Sequence, residues 1–481
     1  MPATVMNRNT TIDELLREER ASSLWNHRVL GYPVWGLQRL SRYWKQHIRG
    51  GDESSKDIFP QVHLGRIKSI IFGLRGLWTM LSQPYRCVAK GRDIWVLSST
   101  NYRKLDGNTR KCIFTDLFLK EVSDRVMFLE RHLSTTNYQT SDAIFNLEAR
   151  HYVAMACAKA ASWIIIHTPW LVRSLNKKQP NFNIHHELQL ALYGHIIEWL
   201  TQRWINTARP SAVFVICGYQ PFIPLQRVIK RNRIPLIELQ HGIIHNSHPG
   251  YVYDMDNLPD FIADHIVIFG KYFGERLDQS AHYWTTRWSI GGHGWLNKTR
   301  HVQNTQQSEK DYIVIFSQPD RVARDKVRTF ARELREILPA EHGIILKPHP
   351  REIDSDEYWN DLRRTNLMIS SPLDNSYALL SQARVAISVH STISLEALAF
   401  DCLSLVLKTE LIPSEFQSLI HAGILVAIET AGDVLKALQV PTSNNPILVN
   451  YLFGADEPSL DIDNLIESVR HRIQSTSLQS H

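Results

Sequence analysis

At 481 residues the chain is too long for one ordinary hydrophobic core and is expected to form two or three domains. Its 43% hydrophobic and 21% charged residues are those of a soluble globular protein and exclude a disordered or low-complexity class. The net charge is +6, yet eighteen Lys and Arg against seven Asp and Glu lie between Leu15 and Lys111, so the remainder is net acidic. A basic first segment rich in Trp and Tyr suits an anionic membrane surface or an acidic acceptor, whereas the lack of any binding motif argues against nucleic acid. The five cysteines (Cys87, Cys112, Cys157, Cys217, Cys402) are odd in number and never in C-x-x-C spacing, so they are read as reduced thiols, with no disulfide framework or zinc site. The start lacks an apolar leader and no run of about eighteen uncharged apolar residues occurs, which places the expected location in the cytoplasm, with any membrane contact at the inner face.

In chain order, residues 1–90 read as a basic helical extension. Ile12, Leu15 and Leu16 share one helical face, Gly31 and Pro33 interrupt, and Leu37, Leu40, Tyr43 and Trp44 resume the spacing. Gly50 to Ser55 is a polar loop, and Gly65 to Leu81 is a second amphipathic stretch that suits a membrane surface or a helix packed on a sheet. Residues 91–298 read as a first Rossmann-like domain: strands at 94–98, 213–217, 236–239 and 265–269 alternate with helical segments, notably 147–161 and 187–207. The strand at 265–269 closes that sheet, and Trp288 to His293 begins the crossing to the next unit. After a polar linker at Thr299 to Lys310, residues 299–473 read as a second Rossmann-like domain, with strands at 312–318, 344–347, 367–369, 385–388 and 403–407 and terminal helices at 431–438 and 462–473. The expected fold class is α/β: two Rossmann-like domains facing across a cleft, with a helical N-terminal extension.

The functional reading starts at Ile344 to Pro350. An apolar strand ends at Lys347, Pro348, His349 and Pro350, where two nitrogen donors would face the crevice at the carboxyl ends of an open sheet. The strand ending at Ser388 reaches a Ser391/Thr392 turn and a helix with Glu396 in its first turns, a second anion-facing strand end. Ser317 and Gln318 end the first strand of this domain, where a donor substrate would meet the sheet. In the first domain a buried strand ends at Gln240, His241 and Gly242, and His241 is the candidate general base because imidazole titrates near neutral pH. His245 and His248 follow as structural or cleft histidines, and Gly242, Pro249 and Gly250 break the helix that their spacing with His241 would need to bind a metal, so no metal is expected. Gly291-Gly-His-Gly294, with His293, is no dinucleotide fingerprint and reads as cleft lining or hinge.

Taken together, Gln240-His-Gly242, Lys347-Pro-His-Pro350 and Ser391-Thr392 with Glu396 resemble the motifs of bacterial surface-polysaccharide (capsule and lipopolysaccharide) glycosyltransferases of the two-domain GT-B architecture. They are similar, more distantly, to teichoic-acid glycerophosphotransferases and to sialyl- and Kdo-transferases with His-Pro and Ser/Thr motifs. The resemblance covers roughly residues 210–405, and Leu24 to Trp35 looks like the opening of such proteins. It implies that His349 meets the donor phosphate, Ser391 and Thr392 the same phosphate or the ribose, Glu396 the ribose hydroxyls, and His241 the acceptor. It further implies a CMP-, CDP- or UDP-linked sugar donor and a glycan or lipid-linked acceptor. No Asp-x-Asp stands at a strand end, which suits inverting chemistry without metal or cofactor, and peripheral membrane contact through the basic N-terminal segment is a separate expectation. The sequence departs from the sialyltransferase pattern in lacking its paired-acid acid-base motif. A nucleotide-sugar epimerase of double-Rossmann design and a non-catalytic polysaccharide-assembly protein are the alternatives.

Overall fold

The computed structural model describes residues 8–47, 91–106, 109–131, 142–168, 183–219, 222–304, 312–339, 342–350, 352, 356–364, 366–409, 414–439, 445–454 and 460–479. The amphipathic stretch expected at Gly65 to Leu81 and the loop at Gly50 to Ser55 lie outside the described residues. The chain forms two units. The first comprises Thr10–Ile268, Gly274–Gly291 and Pro458–His481, and the second centres on Gly292–Glu457 and takes in Phe269–Phe273.

In the first unit a short antiparallel hairpin, β1 (Arg28–Val29) and β2 (Tyr32–Pro33), is followed by β3 (Ile94–Ser99), a second hairpin of β4 (Arg103–Asp106) and β5 (Thr109–Cys112), and then β6 (Val126–Arg131), β7 (Ile144–Asn146), β8 (Ala212–Ile216), β9 (Leu236–Leu239), β10 (His265–Ile268) and β11 (Trp288–Ile290). The seven-stranded sheet is parallel throughout, in the order β11-β10-β9-β8-β3-β6-β7. Strands β3, β6, β8, β9 and β10 are buried along their whole length, as a parallel sheet covered on both faces requires. The edge strand is therefore β11, not the strand at 265–269, and Trp288 continues this sheet rather than leaving it. Strands β6 and β7 have no counterpart among the strands read from the sequence.

The second unit holds β12 (Tyr312–Phe316), β13 (Gly343–Lys347), β14 (Leu367–Ile369), β15 (Ala383–Ser388), β16 (Leu403–Leu407) and β17 (Val426–Ile428), all parallel, in the order β14-β13-β12-β15-β16-β17. The helix Arg321–Ile337 shows why the layers form: Ala323, Val327, Phe330, Ala331 and Leu334 recur at helical spacing and bury against the sheet, while Asp320 caps its first turn through Ala323 N at 3.0 Å. Strand β17 lies beyond the strand at 403–407, and the helix Gly294–Asn304 runs into the segment read as a linker.

Two sequence groupings change. The C-terminal helix Ile462–Gln479 does not close the second unit. Its Ile462, Leu465, Ile466 and Val469 bury with Ile94, Val96, Phe214 and Ile237 of the first sheet. Within the N-terminal extension, residues 12–43 likewise belong to the first unit's core. Val29, Tyr32, Val34 and Leu37 bury with Leu188, Leu190, Ala191 and Phe261, and Ile12, Leu15, Trp35 and Tyr43 with Val252.

One ion pair locks that extension in place. Arg39 Nε donates to Glu19 Oε1 at 2.5 Å, Trp35 Nε1 donates to the same oxygen at 2.8 Å, and the guanidinium also donates to the carbonyls of Pro249 and Val252, the latter at 2.9 Å. Both charges are buried. Removing one partner strands the other charge away from water, so Arg39→Ala is expected to destabilise the protein by about 3–5 kcal/mol in urea unfolding. A loss below about 1 kcal/mol contradicts this account.

Candidate functional site

Each sheet has the strand order 3-2-1-4-5-6 of a doubly wound fold, with β11 added to the first. The crossovers leave in opposite directions at the β3/β8 pair and at the β12/β15 pair. Ligands of open α/β sheets bind outside the carboxyl ends of the strands at such switch points.

In the first unit β8 ends at Cys217, Gly218 and Tyr219, with Cys217 in the left-handed region (φ 71°). The buried Glu238 on β9 shapes this turn: its Oε1 accepts Gly218 N–H at 3.0 Å and the Tyr251 hydroxyl at 2.9 Å. Only glycine fits at 218, since a Cβ there would stand 2.3 Å from Glu238 Oε2. The turn presents Tyr219, whose hydroxyl lies 3.1 Å from His241 Nε2. Tyr219 is held by the rings of His248 (5.2 Å between centroids) and Tyr251 (5.5 Å, edge-on), and a Cβ at Gly250 would strike its ring at 2.4 Å. His241 Nδ1 is buried and has no partner among the described residues. Gln240 Nε2 donates to Gly242 O at 2.8 Å, and His248 Nδ1 accepts Gly250 N–H at 2.9 Å.

Burial dominates the electrostatics here. It holds His241 down to about 4 and His248 well below the usual imidazole range, and it pushes Glu238 up to about 7 against the lowering effect of its two hydrogen bonds. The structure thus brings His241 and His248 together around Tyr219, which the sequence reading missed, with Gln240 and Gly242 flanking His241 in the chain.

In the second unit β12 ends at Ser317 and Gln318, both buried, with Ser317 N–H on Lys347 O at 2.9 Å. Glu352 joins this end to the next: Ser317 Oγ donates to its Oε1 at 3.2 Å, His349 N–H donates to its Oε2 at 2.7 Å, and Glu352 N–H returns to His349 O at 2.8 Å. Glu352 is itself buried, and burial raises its carboxyl. His349 is half-buried and Pro350 exposed. The sequence reading expected Lys347 at the crevice. Instead Lys347 is buried, and its ammonium donates to Pro372 O at 2.7 Å and Pro348 O at 3.2 Å, where it ties two loops together. Glu352 was missed, although a Glu three residues after His349 has the spacing of a turn that caps itself.

Beside β12, strand β15 leads to Ser391 and Thr392. The helix expected there is a single α turn, Ile393–Glu396, followed by a 3₁₀ turn, Ala397–Phe400, which ends at Asp401 in the left-handed region. Ser391 Oγ accepts Ile393 N–H at 3.4 Å, and Thr392 O accepts Glu396 N–H at 3.1 Å. Glu396 accepts a hydrogen bond from Tyr377. His293 serves packing. It is buried between Phe269 and Phe453 of the second unit, its Nδ1 accepts Leu296 N–H at 3.3 Å, and burial lowers it to about 4, so it packs a core and caps a helix.

Among the described residues no group of three or more His, Cys, Asp and Glu has the arrangement of a metal site, and no helix is long and apolar enough to cross a membrane.

Fold and rims together define an α/β protein of two doubly wound parallel sheets. No protein-family model and no curated protein sequence matches the chain. Solved structures similar to it include α,α-trehalose 6-phosphate synthase from Burkholderia multivorans (8% identity, 81% of this chain and 100% of that chain covered, TM-score 0.47). Also similar are the UDP-GlcNAc 2-epimerases of Methanocaldococcus jannaschii (11%, 72% and 92%, TM-score 0.44) and of Neisseria meningitidis, the latter bound to UDP-GlcNAc (11%, 80% and 99%, TM-score 0.44).

The raised Glu238 carboxyl makes stability depend on pH with a definite sign. The folded protein keeps this proton to about pH 7, while an unfolded glutamate loses it near 4.5. The stabilisation is therefore complete below about 4.5 and is lost as pH rises to 7. Glu238→Gln keeps the acceptor oxygen and removes the titration. Wild-type stability relative to this variant should fall by about 3 kcal/mol between pH 4.5 and 7.5 in urea unfolding. His241, lowered in the same unit, acts in both proteins and cancels. Parallel pH curves for the two proteins refute the assignment.

Proposed function

We propose that the chain is a glycosyltransferase that moves a sugar from a CMP-, CDP- or UDP-linked donor to a surface-polysaccharide or lipid-linked acceptor, with inversion and without a metal ion or cofactor. The observation that carries this reading is the second sheet's switch point, where the adjacent ends of β13, β12 and β15 carry His349, Ser317, Gln318, Ser391 and Thr392. Hydroxyls, an imidazole and backbone donors on one rim suit a phosphate and the sugar hydroxyls beside it. The resemblance of these motifs to polysaccharide glycosyltransferases supports the same donor class. Work at the inner face of the membrane, reached through the basic N-terminal residues, belongs to the same reading.

In this reaction the acceptor oxygen attacks the anomeric carbon as its bond to the phosphate breaks, and the bonding pair leaves with the nucleotide. The acceptor proton passes to His241, whose burial keeps the imidazole neutral and able to accept. Lys347 acts here as a positioning residue that fixes the turn bearing His349.

His349→Ala is expected to weaken nucleotide binding at least tenfold in calorimetry, the scale of one charge-assisted contact, and an unchanged affinity refutes that role. His241→Ala should keep donor binding and lower turnover by about 10²–10⁴-fold, and turnover near wild type would place the base elsewhere. Incubating the enzyme with donor alone separates the reaction classes: conversion of the sugar nucleotide with no acceptor present replaces the transferase by an epimerase.

A further inference from the structure

The burial of Lys347 leaves a question that the second sheet answers. A donor phosphate carries negative charge, and the ammonium expected beside it is turned into the carbonyls of Pro348 and Pro372. The cation that stands ready lies on the helix after β12. The helix Arg321–Ile337 carries five arginines. Four have carboxylate partners: Arg321 with Asp325 (3.8 Å), Arg328 and Arg332 with Asp361 (2.8 and 2.9 Å) and Arg335 with Glu336 (2.7 Å). Arg324 has no carboxylate and no hydrogen-bond acceptor among the described residues, and its Nε is buried without a partner.

Arg324 stands in the first turns of a helix that starts within a few residues of Ser317 and Gln318, at the carboxyl end of β12, and helical side chains lean toward the helix N-terminus. Its charge is felt by Glu352, the carboxylate that binds Ser317 Oγ and His349 N–H. Its planar group is held in place by Tyr358, whose ring centroid is 4.4 Å from the guanidinium carbon. An arginine that is held on an aromatic ring, offers unused N–H donors and stands beside the rim turn is preorganised for a phosphate in the way a flexible surface lysine is not.

We propose that Arg324, rather than Lys347, supplies the positive charge that binds the phosphate of the nucleotide donor at the carboxyl rim of the second sheet. This rests on the transferase reading above, and it adds a residue that no motif marks. Glu352 is then a positioning residue that sets the turn beside the arginine, and the guanidinium contacts the ligand.

The test is calorimetric titration of the full-length protein with CMP, CDP, UDP and unphosphorylated cytidine, using wild type, Arg324→Gln and Arg324→Lys. The expected result is that Arg324→Gln weakens CDP at least tenfold and cytidine much less, that the lysine variant recovers part of the loss, and that the wild-type affinity for CDP falls as salt rises. Thermal midpoints within a few degrees of wild type show that the variants are folded. Equal CDP affinity in wild type and Arg324→Gln overturns the inference while nucleotide binding stands. Equal losses for CDP and cytidine overturn it too, because the residue would then shape the site rather than hold the phosphate. If wild type binds none of the three nucleotides, the donor reading itself fails and the inference with it.

Discussion

A carboxylate buried beneath a sheet's rim has little water to turn to and must take its hydrogen bonds from the chain around it. One such group shapes each rim. Glu238 draws Gly218 N–H toward β9 and thereby sets the turn that presents Tyr219 to His241. Glu352 draws His349 N–H and the Ser317 hydroxyl together, and so couples the ends of β12 and β13. In both cases the candidate functional side chain is not the buried acid but the residue whose backbone or neighbour the acid holds.

Support for the first rim extends far along the sequence. The loop from His248 to Tyr253 carries the rings that hold Tyr219, and its Pro249 and Val252 carbonyls accept from Arg39 of the N-terminal segment. Arg39 also lies over the ring of Tyr253, 4.7 Å from its centroid, and is paired with Glu19. The basic composition of the first hundred residues therefore contains at least one charge that is structural and unavailable to any surface. What the sequence presents as an appendage is, in residues 12–43, a wall of the first unit.

The fold class was legible because parallel strands buried on both faces read as unbroken apolar runs: β12, β13, β15 and β16 stand out for that reason, as do β8 and β9. Strands β7, β11 and β17 have three residues each and leave no periodicity to detect. Candidate site residues were legible where a strand stops at polar residues, as at Gln240-His241 and Ser317-Gln318. Their orientation was not. Nothing in Lys347-Pro-His-Pro350 distinguishes a lysine aimed at a ligand from one aimed at two carbonyls, because the difference lies in where Pro372 comes to rest. The C-terminal helix was assigned to the wrong unit for a related reason. Its apolar face is visible in sequence, but which sheet it covers is a property of the returning chain.

In the proposed transferase reaction, burial of His241 trades one catalytic quantity for another. Burial lowers the basicity of its imidazole to about 4. The gain is that the ring is neutral, and so able to accept a proton, across the whole physiological range. The cost is that the proton is held weakly once taken. A base of this kind works where proton transfer accompanies bond formation, since the acceptor hydroxyl becomes acidic only as its oxygen bonds to carbon. The protein's contribution is then orientation. The ring is fixed by Tyr219, which is fixed in turn by His248, Tyr251 and the absence of a side chain at Gly250, so the direction of the imidazole is settled before any substrate arrives.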